Sequence, residues 1–124
     1  MIEIRLATYD EVVRLKGKDA PRCGFHYHPD TVYVGAFDGD EIIACVGYRV
    51  MNSIVEYVSD VTKKEYRKKG VYTKLYSIRE RMASLLPHNK RIAFCTEYSI
   101  GKYLAQGFEI KKRYKNTYKV EKLV

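Results

Sequence analysis

Three strand-like runs separated by short turns constrain this chain most. Residues 31–37 (TVYVGAF), 41–50 (EIIACVGYRV) and 54–62 (IVEYVSDVT) are rich in β-branched and aromatic side chains. "DGD" at 38–40 and Asn52-Ser53 are the turns between them, so the three runs form an antiparallel meander. A meander needs cover on its apolar faces, and the flanking segments provide it.

Before the meander, Ile2 to Leu6 alternates apolar with charged residues like a half-buried strand, and Thr8 is an N-cap for a helix over Asp10 to Lys16. Residues 17–24 are loop-like. After it, Leu75, Ile78, Met82 and Leu85 recur at helical spacing, which predicts an amphipathic helix over Val71 to Leu86, ended by Pro87. Arg91 to Thr96 is an interior strand, Ser99 to Ala105 a short helix stopped by Gly107, and 108–114 and 118–123 a closing strand pair. The order is β-α-β-β-β-α-β-α-β-β, an α+β fold with a mixed, mostly antiparallel sheet flanked by helices. With 124 residues, no repeat and no linker, a single domain over 1–124 is expected.

The formal charge is +8, with local excess in 63–69 and 111–119, so an anionic partner is expected: nucleic acid, an acidic protein or a phosphorylated cosubstrate. Cys23, Cys45 and Cys95 lack C-x-x-C spacing and read as reduced thiols. The opening MIEIRLATYDE is too polar for a secretory signal, and no apolar run approaches the roughly 18 residues of a membrane span. A cytoplasmic protein without a membrane partner is expected. Monomer or homodimer stays open.

The stretch "EYRKKGVYTKLY", 65–76, joins the third meander strand to the long helix. A glycine there lets backbone approach an anion at the helix N-terminus, where unpaired N–H groups and the helix dipole favour phosphate. Arg67, Lys68 and Lys69 add neutralising charge. Neither a P-loop nor a dinucleotide fingerprint is present.

In this context "VTKKEYRKKGVYTKLY" resembles the acetyl-CoA-binding segment of the GNAT superfamily of N-acetyltransferases, whose signature is Q/R-x-x-G-x-G/A. Arg67, Gly70 and Tyr72 occupy the three defined places, Tyr72 standing where a small residue is usual. Downstream, "TEYSIGKYLAQGFE" resembles the family's N-x-x-A-x-x-x-Y-x-x-x-G-F-E pattern, with Tyr103, Gly107 and Phe108 in register and Thr96 and Ser99 replacing Asn and Ala. The element order matches the family as well. The resemblance implies an acetyl-CoA-dependent N-acetyltransferase. The backbone of Val61, Thr62 and Lys63 would pair with the pantetheine arm, and Arg67, Lys68, Lys69, Gly70, Val71, Tyr72 and Thr73 would hold the pyrophosphate.

Acetyl transfer needs a neutral amine, whereas an alkyl amine with a pKa of about 10.4 is protonated at pH 7. A base is therefore required. Glu56 on the third meander strand is the first candidate, matching a glutamate some family members use, and Asp60 is the second. Strand alternation puts both on one face unless a bulge intervenes. Tyr103 matches the family's general-acid tyrosine. In "CGFHYHPD", His26, Tyr27 and His28 are candidates for contact with substrate, and Cys23 with the two histidines falls short of a zinc set. No metal is expected. The acceptor is an amine, with the charge favouring an anionic one: a protein lysine or N-terminus, a small amine, or a nucleobase. The alternative is a basic nucleic-acid-binding module in which the tyrosines of "KKEYRKK" and "KKRYKNTYK" stack on bases.

Overall fold

A computed structural model describes residues 1–15 and 28–124. Seven strands, β1 (Ile2–Ala7), β2 (Val32–Asp38), β3 (Glu41–Met51), β4 (Ile54–Thr62), β5 (Lys90–Cys95), β6 (Glu109–Arg113) and β7 (Tyr118–Leu123), alternate with helices α1 (Tyr9–Val12), α2 (Val71–Ser84) and α3 (Ile100–Ala105). They form one sheet in the order β1-β2-β3-β4-β5-β7-β6. Every neighbouring pair is antiparallel except β4 and β5, which α2 connects as a parallel crossover. The order and fold class expected from the sequence are observed.

Local chemistry explains the boundaries. Thr8 and Glu11 cap α1 reciprocally: the Thr8 side chain accepts from the Glu11 N–H, and the Glu11 carboxylate accepts from the Thr8 N–H. The helix expected over Asp10 to Lys16 is shorter, ending at Val12 and tightening into a 3₁₀ turn over Val13–Leu15, with Lys16 outside the described residues. That tightening buries Val12 and Leu15 against Tyr33, Phe37, Ile42, Cys45 and Val61, the core on one face of the sheet.

On the other face, Leu75 of α2 packs on Val34, Ala36, Ile43, Ala44 and Val46. Tyr76 and Ala83 join Val55, Tyr57, Ala93, Tyr103, Phe108 and Val120. The buried stripe of α2 is Leu75, Tyr76, Arg79 and Ala83, rotated from the expected one. Leu85 is 83% exposed, just past the end of the helix at Ser84.

Two irregularities in β4 shape the region around its C-terminal end. The first is a bulge: Cys45 pairs with Val61 and Gly47 with Val58, so Ser59 and Asp60 together face Val46. Ser59 takes the left-handed backbone, φ 60°. The extra residue resets the alternation, and Asp60 points to the α2 face while Glu56 points away. The second is that β4 pairs with β5 only over Ile54–Tyr57 and Lys90–Ala93. Beyond Tyr57 the strands part. No helix among the described residues is long and apolar enough to cross a membrane.

Candidate active site

The parting of β4 and β5 opens a cleft of about 320 Å³. Glu56, Ser59 and Asp60 line it from β4, Arg49 from β3, Cys95 and Thr96 from the end of β5, Ser99 and Tyr103 from the α3 side, and His28 and Thr31 from the approach to β2. Three expected chemical groups, Glu56, Asp60 and Tyr103, therefore meet at one cavity, with His28 on its wall. His26, Tyr27 and Cys23 lie outside the described residues. No cluster of metal-ligating side chains occurs among those described.

The two carboxylates differ in surroundings. Asp60 is gripped by Arg79, Nη1 to Oδ1 at 2.5 Å and Nη2 to Oδ2 at 3.0 Å. Its Oδ2 also accepts from the Tyr72 hydroxyl at 2.5 Å and the Tyr103 hydroxyl at 2.6 Å. Arg79 is fully buried on α2 and further donates to Gly47 O and the Tyr103 oxygen. Its guanidinium stacks over the Tyr57 ring, 4.0 Å from the centroid. Burial opposes the Arg79 charge, but Asp60 outweighs it and holds the pKa well above the usual arginine value. Burial pushes the Tyr103 hydroxyl well above its ordinary pKa, so it stays protonated at neutral pH. Tyr72 is raised for the same reason, with the Asp60 charge adding to it.

Glu56 is simpler. Arg49 Nε and Nη2 both contact its Oε1, at 3.0 and 2.9 Å. Oε2 has no hydrogen-bond partner among the described residues, and Glu56 is part of the cleft wall. The residue is 7% exposed overall. Cys95, in the same wall, is held up to a pKa of about 11 by burial and by the Asp60 charge.

At the other end of the parting strands, a 3₁₀ turn over Lys64–Tyr66 leads into α2. Lys68 and Gly70 take positive φ, 61° and 83°. Gly70 is the N-cap and has no side chain to satisfy the first amides, those of Val71, Tyr72 and Thr73, which face outward. A Cβ at Gly70 would meet nothing within 4 Å, so the mouth is open. Arg67, Lys68 and Lys69 are exposed around it, and Arg67 Nε donates to Thr62 O at 3.0 Å. The Tyr72 side chain turns inward to Asp60 and away from the mouth. Just past β4, the Lys63 N–H donates to Ile43 O of β3 at 2.9 Å, so strand alternation turns Thr62 to the edge of β4 that β5 leaves unpaired. Lys63 also pairs with Glu41. These features fit an extended ligand ending in a diphosphate.

Sequence reasoning missed Arg49, Arg79 and the inward role of Tyr72. Arg49 was legible, because the Asn52-Ser53 turn places it directly opposite Glu56. Arg79 was signalled by its position between Tyr76 and Ala83 on the buried stripe.

A sequence-family model described as the acetyltransferase (GNAT) family matches residues 1–108. The chain belongs to the GNAT family; it is an N-acetyltransferase whose acetyl donor is acetyl-CoA. Among solved structures, an acetyltransferase from Streptococcus agalactiae superposes with TM-score 0.81 at 14% identity, covering 99% of this chain and 98% of that one. PaiA N-acetyltransferase from Thermoplasma acidophilum, in complex with coenzyme A, gives 0.79 at 14% identity, covering 100% and 99%. Arabidopsis thaliana NAA60, in complex with a bisubstrate analogue, gives 0.76 at 15% identity, covering 100% and 99%. At these identities the likeness shows the fold. No curated protein sequence matches.

Proposed function

We propose that the protein acetylates a primary amine bound in the β4–β5 cleft, with Glu56 as the base and Tyr103 as the acid. The observation that carries the reading is the unused Oε2 of Glu56, a residue that lines the cleft together with Asp60 and Tyr103. Acetyl-CoA supplies the acetyl group as a thioester. The amides of Val71, Tyr72 and Thr73, with Arg67, Lys68 and Lys69, hold its diphosphate. Thr62 at the open strand edge takes the pantetheine arm like an added strand.

Glu56 accepts the proton that an amine with a pKa of about 10.4 must lose to become a nucleophile. Tyr103 carries a proton that burial secures, held in the resting arrangement by Asp60. When Tyr103 turns to protonate the departing thiolate, Tyr72 and Arg79 keep Asp60 satisfied. Asp60 therefore serves as a fixed counter-charge, leaving Glu56 as the proton acceptor.

The test is Gly70→Asp, which adds bulk and negative charge at the diphosphate mouth and strains a φ of 83°. Acetyl-CoA at a hundred times its dissociation constant stabilises a binder by about 2.7 kcal/mol, and the variant should lose that rise in melting temperature. An undiminished rise would overturn the cradle.

A further inference from the structure

We infer that the cleft selects amines carrying a carboxylate beside the amino group, and that Arg49 reads that carboxylate. The inference rests on the amine-acetylating role proposed for this cleft and adds the acceptor's chemical class.

Arg49 and Glu56 are a half-used pair. Arg49 directs Nε and Nη2 to a single oxygen, Oε1. Its Nη1 and the Glu56 Oε2 have no partner among the described residues, although both residues line the cleft. An unused donor on Arg49 and an unused acceptor on Glu56 thus remain within one ion pair, on side chains only 20% and 10% exposed.

Charge balance points the same way. Arg79 cancels Asp60, and Arg49 cancels Glu56, so these paired groups sum to zero. A plain ammonium bound at Oε2 would place a second cation on a carboxylate that already holds Arg49, in a partly desolvated wall. A zwitterion adds no net charge: its ammonium meets Oε2 and its carboxylate meets the guanidinium, whose planar fork suits carboxylates. In an amino acid these two groups are separated by one carbon, so a single small molecule carries a partner for each member of the ion pair. His28, at the cleft wall, is the other titratable group from the approach to β2 and is exposed.

The experiment measures kcat/KM by coenzyme A thiol release, at saturating acetyl-CoA, for leucine and for 3-methylbutylamine, which is leucine without its carboxylate. Because the two amines differ in basicity, the readout is how far Arg49→Gln moves their ratio. We expect the variant to lower leucine's advantage by about tenfold or more, and Arg49→Lys to restore part of it. A loss of Glu56 positioning alone would slow both substrates equally and leave the ratio fixed; that result overturns the inference. So does failure of the parent protein to use leucine. In either case, a retained rise in melting temperature with acetyl-CoA leaves the transferase reading standing, whereas its absence in the parent protein removes that reading.

Discussion

Glu56 and Asp60 lie on one strand, each paired with an arginine, yet they are saturated to different degrees. Asp60 gives Oδ1 to Arg79 and shares Oδ2 among Arg79, Tyr72 and Tyr103. Glu56 gives one oxygen and keeps the other. A buried carboxylate whose oxygens are fully engaged has little capacity left to accept a proton from substrate. A half-saturated one, anchored on one side and open on the other, is positioned and still free to react. Unused hydrogen-bonding capacity, rather than burial, separates the two carboxylates, and on the proposed function it marks Glu56 as the one that reacts.

Breaking the saturated pair should have the largest effect. Arg79→Met leaves Asp60 buried without its counter-charge, and removal of one partner from such a pair costs about 3–5 kcal/mol. The melting temperature should fall sharply, and a near-parent value would mean that water reaches Asp60. Cys95 reports on the same pocket of charge. With its thiol held at about 11, against 9.0 for an unperturbed one, it should react with iodoacetamide at pH 8 about a hundredfold more slowly than a free thiol. Peptide-resolved mass spectrometry measures this, and labelling at the free-thiol rate would show that the wall is looser than the geometry states. The smallest effect belongs to Tyr72→Phe. Asp60 keeps Arg79 and Tyr103, so stability should drop by only about 1 kcal/mol in chemical denaturation. A loss comparable to Arg79→Met would make Tyr72, not Arg79, the principal partner.

The strands and their turns were readable because alternation and turn residues are local signals, and every strand of the meander falls where they put it. The strand-to-helix junction at Gly70 was readable for the same reason: a glycine between a strand and a helix. Three things were not. The bulge at Ser59 depends on how β3 and β4 settle against both cores, and it turns Asp60 away from the face of Glu56. The stripe of α2 contains Arg79, so counting apolar residues alone shifted the face toward Leu85. Tyr72 stands in the loop signature by sequence but joins the core by orientation, since its hydroxyl finds a carboxylate inside. Each miss involves a polar side chain satisfied by a distant partner, which periodicity does not register. The nucleic-acid alternative gains no support, and the basic run at 67–69 surrounds the mouth of α2.

The contrast between the two carboxylates is tested most directly by the turnover of Glu56→Gln at saturating acetyl-CoA with an accepted amine. Because Arg49 keeps a carbonyl oxygen to hold, the variant should fold and gain stability from acetyl-CoA as the parent does. Its kcat should fall on the order of a hundredfold or more, with the deficit shrinking as pH approaches the amine's own pKa. Parent-like turnover at neutral pH would contradict the account and shift the proton acceptor away from the open oxygen of Glu56.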